Sequence, residues 1–268
     1  MVERSYVAAD SPEVLETRRL LALEVMEDPG THAALERCGI GPGWHCLELG
    51  AGHGSIAQWM ADRVGDSGRV VAVDQDPRFL HEIERPNLSI RALDVATDEI
   101  ERDSFDLVHC RALLMHLPSP EAVLEKMLAA TRPGGWLVVE EGDFSTFSAV
   151  DPLYPGAAEF DRTTRACWDF MHKVGRMDSY FGRRLPELMA PLQLRGAACR
   201  GLVRIARGGD SLAEFWSLTF QLPAVDAMIG ASVVSRQQID GVRALFADPS
   251  FTFVVAAVYT AWGRRAAE

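Results

Sequence analysis

The segment Leu47-Glu-Leu-Gly-Ala-Gly-His-Gly54 decides the fold of this chain. A predicted apolar strand over residues 44–49 ends in three glycines, each separated from the next by one residue, and a predicted helix over residues 55–64 follows directly. Glycine lets the backbone turn sharply and lets a ligand approach without a Cβ in the way, at the carboxyl end of a strand. The segment therefore predicts a nucleotide-like ligand at a strand-to-helix bend, although a plain tight turn has the same spacing.

Outward from this segment, short apolar strands alternate with helices. Further strands are predicted over residues 69–74, 87–92, 105–110, 136–141, 192–206 and 250–262. Helices are predicted over residues 11–27, 28–38, 77–84, 120–131, 211–228 and 235–246. Parallel strands need crossover connections, which are usually helices that cover the sheet. The pattern predicts an α/β fold with a doubly wound, mostly parallel seven-stranded sheet and an antiparallel last strand.

The domain organisation follows from where this alternation begins and lapses. A length of 268 residues fits one α/β domain, and no linker separates two halves. We expect a single domain over residues 1–268 with four parts. These are the N-terminal helices (1–40), a ligand-binding half (41–143), a helical lid insertion (144–190) and the C-terminal half of the sheet (191–268).

Charge and cysteine content restrict the partners of the chain. The formal net charge of −11 argues against nucleic acid and anionic membranes, which bind clustered Lys and Arg. The five cysteines form no CxxC pair, so they indicate reduced cytosolic thiols and neither disulfides nor a zinc site. No run of about 18 apolar residues predicts a membrane span. We expect a cytoplasmic protein that acts on a small molecule without a metal, and a homodimer is left open.

Two aspartates follow the second and third predicted strands. Asp74 ends strand two, where doubly wound folds place the carboxylate that accepts hydrogen bonds from ribose hydroxyls. Asp94 ends strand three, where it can accept from an adenine amine while Leu93 and Val95 flank the ring. Each aspartate alone is more often a turn or cap residue. Together with the glycine bend, they predict one adenosyl site at three successive strand ends.

At this point the chain resembles the class I, Rossmann-like, S-adenosylmethionine-dependent methyltransferases of small-molecule type. The resemblance covers roughly residues 40–141. It rests on Glu48-Leu-Gly-Ala-Gly-His-Gly54, Val73-Asp74, Leu93-Asp94, Phe105-Asp-Leu-Val-His109 and Arg132-Pro-Gly-Gly-Trp-Leu-Val-Val139. It implies S-adenosylmethionine as cofactor and S-adenosylhomocysteine as product.

The resemblance also implies which residues bind the cofactor. Glu48 and the glycine loop hold the methionine part, Asp74 binds ribose, and Asp94 meets adenine. The residues after strand four border both cofactor and substrate. The full predicted cofactor set is Glu48, Gly50, Ala51, Gly52, Gly54, Asp74, Gln75, Asp94, Val95, Cys110 and Arg111. An N-terminal leader helix around residues 16–20 also resembles related enzymes, in which Arg19 or Tyr6 would touch the methionine carboxylate.

Acid-base chemistry has few candidates, because methyl transfer mainly requires alignment of the nucleophile with the methyl group. His116, just past strand four, is the expected catalytic base for a hydroxyl acceptor, since a neutral imidazole accepts a proton near pH 7. A helix-end histidine bonded to backbone is the equally weighted alternative. Glu140, Glu141 and Asp143 follow strand five and either orient substrate, bind a metal or, as we favour, cap the loop.

The aromatic run of the insertion points to the acceptor. Rings provide flat apolar area that suits a planar or polycyclic molecule. The predicted substrate contacts are His116, Phe144, Phe147, Trp168 and His172. At least half of the rings in this run are expected to form the core of the insertion itself.

These observations predict a methyltransferase that acts on an O, N or C nucleophile of a small aromatic or polycyclic metabolite, with O-methylation favoured. The composition, rich in Ala, Arg and Gly, suggests a bacterial enzyme of secondary metabolite biosynthesis. The main alternative is an S-adenosylmethionine-binding cyclase, or another enzyme on this fold that transfers no methyl group. An NAD(P)-dependent oxidoreductase requires GxGxxG, which residues 50–55 lack. A non-catalytic binding protein is the remaining alternative.

Overall fold

The computed structural model describes residues 11–267. In it, the strand that precedes the glycine segment belongs to a parallel sheet. Strand β1 (His45–Leu49) ends at the first glycine and lies between two parallel neighbours. Leu47 pairs with Val71 of β2 (Arg69–Asp74) on one side and with Val108 of β4 (Phe105–Arg111) on the other. The carboxyl ends of these strands therefore meet at one edge of the sheet.

The main sheet has seven strands in the order β3-β2-β1-β4-β5-β10-β7. Its other strands are β3 (Leu88–Ala92), β5 (Thr131–Asp143), β7 (Arg195–Leu202) and β10 (Ala257–Arg264). The N–H of Gly134 donates to the Arg265 carbonyl at 3.0 Å, and the N–H of Arg265 donates to the Gly135 carbonyl at 2.9 Å. The end of β10 thus lies beside the start of β5, so the last strand is antiparallel. The predicted α/β fold with a mostly parallel seven-stranded sheet is confirmed.

Three further strands form a separate antiparallel sheet that the sequence did not predict. Its order is β6-β9-β8, with β6 (Ser148–Ala149), β9 (Thr252–Val254) and β8 (Ile205–Arg207). The helices are α1 (Glu13–Cys38), α2 (Ser55–Val64), α3 (Pro120–Ala130), α4 (Ala157–Lys173), α5 (Leu185–Met189), α6 (Ser211–Thr219), α7 (Pro223–Gly230) and α8 (Arg236–Ala247). None of the helices in residues 11–267 is long and apolar enough to cross a membrane.

The described chain divides into two compact units. The sheet unit comprises 27–141, 182–200 and the residues from Tyr259 onward, and the aromatic unit comprises the residues up to Met26, 142–181 and 201–258. The predicted division into 1–40, 41–143, 144–190 and 191–268 within one domain stays a prediction. Each unit has its own core.

The core of the sheet unit lies between helices and the central strands. Its buried members are Leu35, Cys38, Cys46, Ile56, Ala57, Met60, Ala61, Val64, Val70, Ala72, Leu107 and Val138. The core of the aromatic unit consists of stacked and edge-on rings. Phe147, Phe160, Phe246 and Phe253 lie within 5.2 to 6.3 Å of one another, measured between ring centroids.

The predicted pair of N-terminal helices is wrong. One helix, α1, runs through Pro29, which occupies an interior position. Proline removes one backbone hydrogen bond and crowds the preceding turn, and this local penalty did not end the helix. The boundary predicted between residues 27 and 28 does not exist in the structure.

Four other predicted elements also differ. The strand over 192–206 splits into β7 and β8, which belong to different sheets. The helix over 77–84 is only a 3₁₀ turn, Pro77–Phe79. The helix over 211–228 splits into α6 and α7 at Pro223, which begins the second helix. The last strand over 250–262 splits into β9 and β10, which belong to different sheets.

Candidate functional site

The glycine bend after β1 requires glycine at each of its three positions. Gly50, Gly52 and Gly54 have φ values of +69°, +57° and +91°, in the left-handed region that other residues rarely adopt. A Cβ on Gly54 would lie 2.5 Å from Cδ1 of Ile83. The N–H groups of Gly50 and Ala51 donate to the Val73 carbonyl, so the bend is fastened to β2. The bend is therefore a fixed part of the site.

Asp74 connects the bend to the neighbouring strand ends. Its Oδ2 accepts from the N–H of Gly52 at 2.9 Å, and its Oδ1 accepts from the N–H of Asp76 at 3.0 Å. Its carbonyl accepts from the N–H of Leu93, just after β3, at 2.9 Å. Burial raises the pKa of the Asp74 carboxyl, and the backbone N–H bonds partly offset that rise. A carboxylate has further lone pairs, so both oxygens can still accept from a ligand.

Asp94 follows β3 at the same edge. Its Oδ1 accepts from the N–H of Ala96 at 2.9 Å, which is the turn role that short acids often take. Val95 is buried beside it, whereas Gln75 is exposed after β2. The ends of β1, β2 and β3 thus lie side by side, and the predicted adenosyl contacts of these residues stay predictions.

Beneath the bend, a buried histidine joins two carboxylates. Glu48 Oε2 lies 2.6 Å from Nδ1 of His109, and Glu140 Oε2 lies 3.3 Å from Nε2 of the same ring. Glu48 is on β1, His109 on β4 and Glu140 on β5, and all three side chains are almost completely buried. Two carboxylates on one ring favour the imidazolium, which donates from both nitrogens.

The charges of this triad control its protonation. Burial lowers the pKa of His109, but the Glu48 charge and the bonds to both carboxylates outweigh it and raise the pKa to about 9. Burial raises the pKa of Glu140, and its bonds to His109 and to two threonines overcome this and hold the pKa at about 2. For Glu48, burial prevails and the pKa is raised, against the lowering effect of His109.

The network extends from Glu140 across the sheet unit. Thr260 Oγ1 donates to Glu140 Oε1 at 2.6 Å, and Thr31 Oγ1 donates to Glu140 Oε2. Arg111 Nη1 in turn donates to Thr31 at 2.9 Å, and its Nη2 lies 2.9 Å from Oδ1 of Asp28. Arg111, predicted to border the cofactor, is thus engaged with helix α1. Its cofactor contact stays a prediction.

Glu141 organises the loop that carries His116. Its Oε1 accepts from the N–H groups of Leu113 and Leu114, at 3.1 and 2.6 Å. These residues begin the 3₁₀ turn Leu114–His116, and the His116 N–H donates to the Leu113 carbonyl at 3.0 Å. The position of His116 therefore depends on Glu141, and its role as a base stays a prediction. Asp143 caps the next turn through the N–H of Ser145.

The remaining predicted contacts are Cys110 at the end of β4 and four residues of the aromatic unit. Cys110 is fully buried against Met127, with 3.9 Å between their sulfur atoms, and burial raises the pKa of its thiol. The predicted substrate residues 144, 147, 168 and 172 belong to the aromatic unit. There Phe144 and Phe147 lie 4.7 and 5.7 Å from Trp168 between ring centroids. Their contact with a substrate stays a prediction.

His172 and Arg19 both belong to the aromatic unit. His172 is half-exposed, with Nδ1 3.1 Å from Asp178 Oδ1. Arg19 is buried in the aromatic unit and donates to Glu16 at 2.7 and 2.8 Å. Tyr6 lies outside the described residues.

Comparison with known proteins bears on these strand ends. Residues 47–139, which include the glycine bend, Asp74, Asp94 and His109, match the family described as a methyltransferase domain. These residues, about a third of the chain, are thus similar to a methyltransferase domain. The match begins within β1 and ends within β5, so the matched segment coincides with the parallel part of the main sheet.

Individual relatives align over similar stretches. Methyltransferase str2 of Strobilurus tenacellus is 34% identical over 107 residues, which cover 39% of this chain and 38% of that protein. The demethylmenaquinone methyltransferase of Beutenbergia cavernae is 34% identical over 124 residues, covering 46% of this chain and 50% of the relative. The alignments thus span half or less of these two relatives.

A solved structure extends the similarity of fold. The phosphoethanolamine N-methyltransferase 2 of Haemonchus contortus superposes with a TM-score of 0.54 at 14% identity, covering 90% of this chain and 53% of that one. At this identity the likeness concerns the fold alone.

The sequence assigned no role to His109, which the structure places between Glu48 and Glu140. The available signal was its position in the mostly apolar strand Phe105-Asp-Leu-Val-His-Cys110, because a histidine that is buried on such a strand needs a polar partner.

Proposed function

We propose that this chain is an S-adenosylmethionine-dependent methyltransferase that acts on a small aromatic or polycyclic metabolite. The methyl group would pass to an O, N or C nucleophile, with oxygen favoured. The match of residues 47–139 to a methyltransferase domain supports the activity. The name of the Beutenbergia relative, a demethylmenaquinone methyltransferase, supports a cyclic acceptor.

One observation carries the proposal: the hydrogen bonds of Asp74. Through its side chain and its carbonyl, this residue ties the glycine bend, the end of β2 and the residue before Asp94 into one rigid edge. An adenosyl group needs acceptors for its ribose hydroxyls and its adenine amine, and these carboxylates supply them. The bend keeps Cβ atoms away from the adjoining methionine part.

The residues present fit the cofactor chemically. When bound, S-adenosylmethionine supplies an electrophilic methyl group on a sulfonium. Glu48 is a nearly buried carboxylate at the end of β1, suited to an ammonium group, and Asp74 is the ribose acceptor. The main task of the protein is to orient the acceptor in line with that methyl group and to exclude water.

His116 is the proposed base for a hydroxyl acceptor. It ends the turn that Glu141 fixes after β4, in the loop that follows the carboxyl end of the central strands. A neutral imidazole in this position would accept the proton that the acceptor hydroxyl loses. For the acceptor itself we propose contacts with Phe144, Phe147, Trp168 and His172.

The setting is also a proposal. We infer a bacterial, cytoplasmic enzyme of secondary metabolite biosynthesis with no nucleic acid or membrane partner. The net charge of −11 and the five free cysteines support it. Self-association as a homodimer is a further proposal, which sedimentation measurements would test.

The test is calorimetric titration of S-adenosylhomocysteine into the wild-type chain and two variants. Asp74→Ala removes both side-chain acceptors, and we expect affinity to fall about 10- to 100-fold, the effect of losing charged hydrogen bonds. Gly52→Val places a branched side chain at positive φ in the bend, and we expect no measurable binding. Asp66→Ala is the matched control, since Asp66 is exposed in the turn before β2.

Wild-type affinity in both variants would refute the assigned cofactor site. A turnover assay with labelled S-adenosylmethionine then separates transfer from the cyclase alternative. A methyltransferase releases one S-adenosylhomocysteine for each product formed. Product without S-adenosylhomocysteine would favour the non-methylating enzyme.

A further inference from the structure

The buried triad Glu48–His109–Glu140 lies next to the glycine bend, but the bend itself does not require it. Burying charged groups is expensive unless each has a close partner. Here one ring bridges carboxylates on two different strands, and no part of the resemblance gives that ring a role.

The two oxygens of Glu48 differ in their partners. Oε2 is occupied by Nδ1 of His109 at 2.6 Å. Oε1 accepts no hydrogen bond from any residue between 11 and 267, although the side chain is only 4% exposed. A carboxylate oxygen in a side chain this little exposed has few water partners, so it can accept from a donor that arrives with a ligand.

We propose that His109 is a positioning residue, an imidazolium that holds Glu48 ionised and aimed so that its Oε1 receives the methionyl ammonium group of S-adenosylmethionine. This inference rests on the proposed function. It adds a residue on β4 whose action on the cofactor is entirely indirect.

The surroundings of the ring support the charged form. Glu48 faces it from β1 and Glu140 from β5. The neighbouring charges on other residues are Arg111, next but one along β4, and its partner Asp28 on α1, which offset one another. The ring therefore lies between two negative groups, and the raised pKa of His109, about 9, agrees with this geometry.

The ionisation of Glu48 depends on the His109 ring. Burial alone raises the pKa of this carboxyl, and His109 opposes the rise. Without the imidazolium, a larger fraction of Glu48 is protonated near neutral pH, and a neutral carboxyl is a poor partner for an ammonium group. Raising the pH then restores the charge, so cofactor affinity in the variant increases with pH.

The experiment measures S-adenosylhomocysteine affinity from pH 6 to pH 8 in the full chain. In the wild type we expect a flat profile. In His109→Gln we expect affinity about tenfold or more below wild type at pH 6 and rising toward pH 8. Glu48→Gln is the matched variant, which has no charge to recover, and should bind weakly at every pH.

His45→Gln controls for loss of a histidine from the same sheet, because His45 lies at the opposite end of β1 and bonds the Ser104 carbonyl. It should retain the wild-type profile. A merely structural role for His109 would lower affinity equally at all pH values. That result, or wild-type affinity in His109→Gln, would overturn the proposal.

Nitrogen-15 NMR of histidine-labelled wild type tests the ring without cofactor and without a substitution. We expect both His109 nitrogens to show imidazolium shifts at pH 8, and a neutral ring there would overturn the proposal even if His109→Gln fails to fold. Absence of S-adenosylhomocysteine binding in the wild type would instead remove the cofactor role of His109 together with the proposed function. The NMR result distinguishes the two failures.

Discussion

The two compact units bury different kinds of groups. In the aromatic unit, Phe147, Phe160, Phe246 and Phe253 fill the centre with rings that need only close contact. The sheet unit, besides its apolar core, buries charges at the carboxyl ends of its strands, and each is held by a specific partner. Rings can be exchanged for similar volumes, whereas a buried charge that loses its partner is left with its full desolvation penalty. The difference separates the part of the chain that mainly packs from the part that can do chemistry.

The largest effect should come from the ring core. Phe160 is almost fully buried, and its four ring contacts, to residues 147, 246, 251 and 253, all lie within the aromatic unit. Phe160→Ala should lower the free energy of unfolding by about 3 to 5 kcal/mol through lost burial and a cavity. Urea denaturation measures the change. S-adenosylhomocysteine affinity of the folded protein should stay within about twofold.

Leu153→Ala is the control for this variant, since Leu153 is 89% exposed in the same unit. It should change stability by less than about 0.5 kcal/mol. A loss of cofactor affinity in folded Phe160→Ala would contradict the separation between packing and chemistry. It would mean that the ring core also shapes the cofactor site.

The next effect should appear in the sheet unit as a dependence of stability on pH. The pKa of His109 is raised from 6.5 to about 9, so the folded protein holds this proton more tightly than the unfolded chain. Its stabilisation is complete below pH 6.5 and is lost as the pH rises through 9. The free energy of unfolding should fall by roughly 3 kcal/mol between these values, at about 1.4 kcal/mol per pKa unit.

The same urea titrations on His109→Gln isolate this contribution. The variant starts from lower stability at pH 6.5 and loses stability up to about pH 8 as its Glu48 ionises. Between pH 8 and pH 9 it should lose much less than the wild type, because it has no His109 proton to release. Parallel pH profiles in wild type and variant would show that the ring is neutral in the folded protein. The triad would then be an ordinary hydrogen-bonded cluster.

The sequence predicted the sheet unit well because its signals are local. Glycines at positive φ and acids at strand ends are each required by one bend or one strand, so Gly52 and Asp74 were visible without the fold. The contacts of His109 were not predicted, because its partners lie 61 and 31 residues away along the chain. Only the register of three strands brings those carboxylates to one ring.

The aromatic unit was harder to predict for a related reason. Its small sheet pairs residues 148–149 with 253–254, so no local pattern reveals it. Pro29 and Pro223 show how the same residue type has opposite consequences: one lies within α1, whereas the other begins α7. A proline inside a helix costs about 3 kcal/mol, and contacts with residues distant in sequence decide whether the helix forms in spite of that cost.

The smallest of these effects should come from Glu141, which uses a buried charge to fix a loop. Glu141→Ala removes the acceptor of the Leu113 and Leu114 N–H groups, and the second of these residues is fully buried. Unfolding free energy should fall by about 2 kcal/mol, the penalty for buried donors left without an acceptor. Urea denaturation measures it.

Glu141→Gln keeps a carbonyl oxygen in the same place and should recover at least half of that loss. If His116 is the base, the alanine variant should also lower kcat more than it raises KM for the cofactor, since the turn that ends at His116 loses its anchor. Equal losses in the glutamine and alanine variants would show that the negative charge of Glu141 matters and that the two backbone bonds do not. Glu141 would then resemble the triad, in which the charge of the carboxylate is what matters. The position of His116 would have to be fixed by the 3₁₀ turn alone.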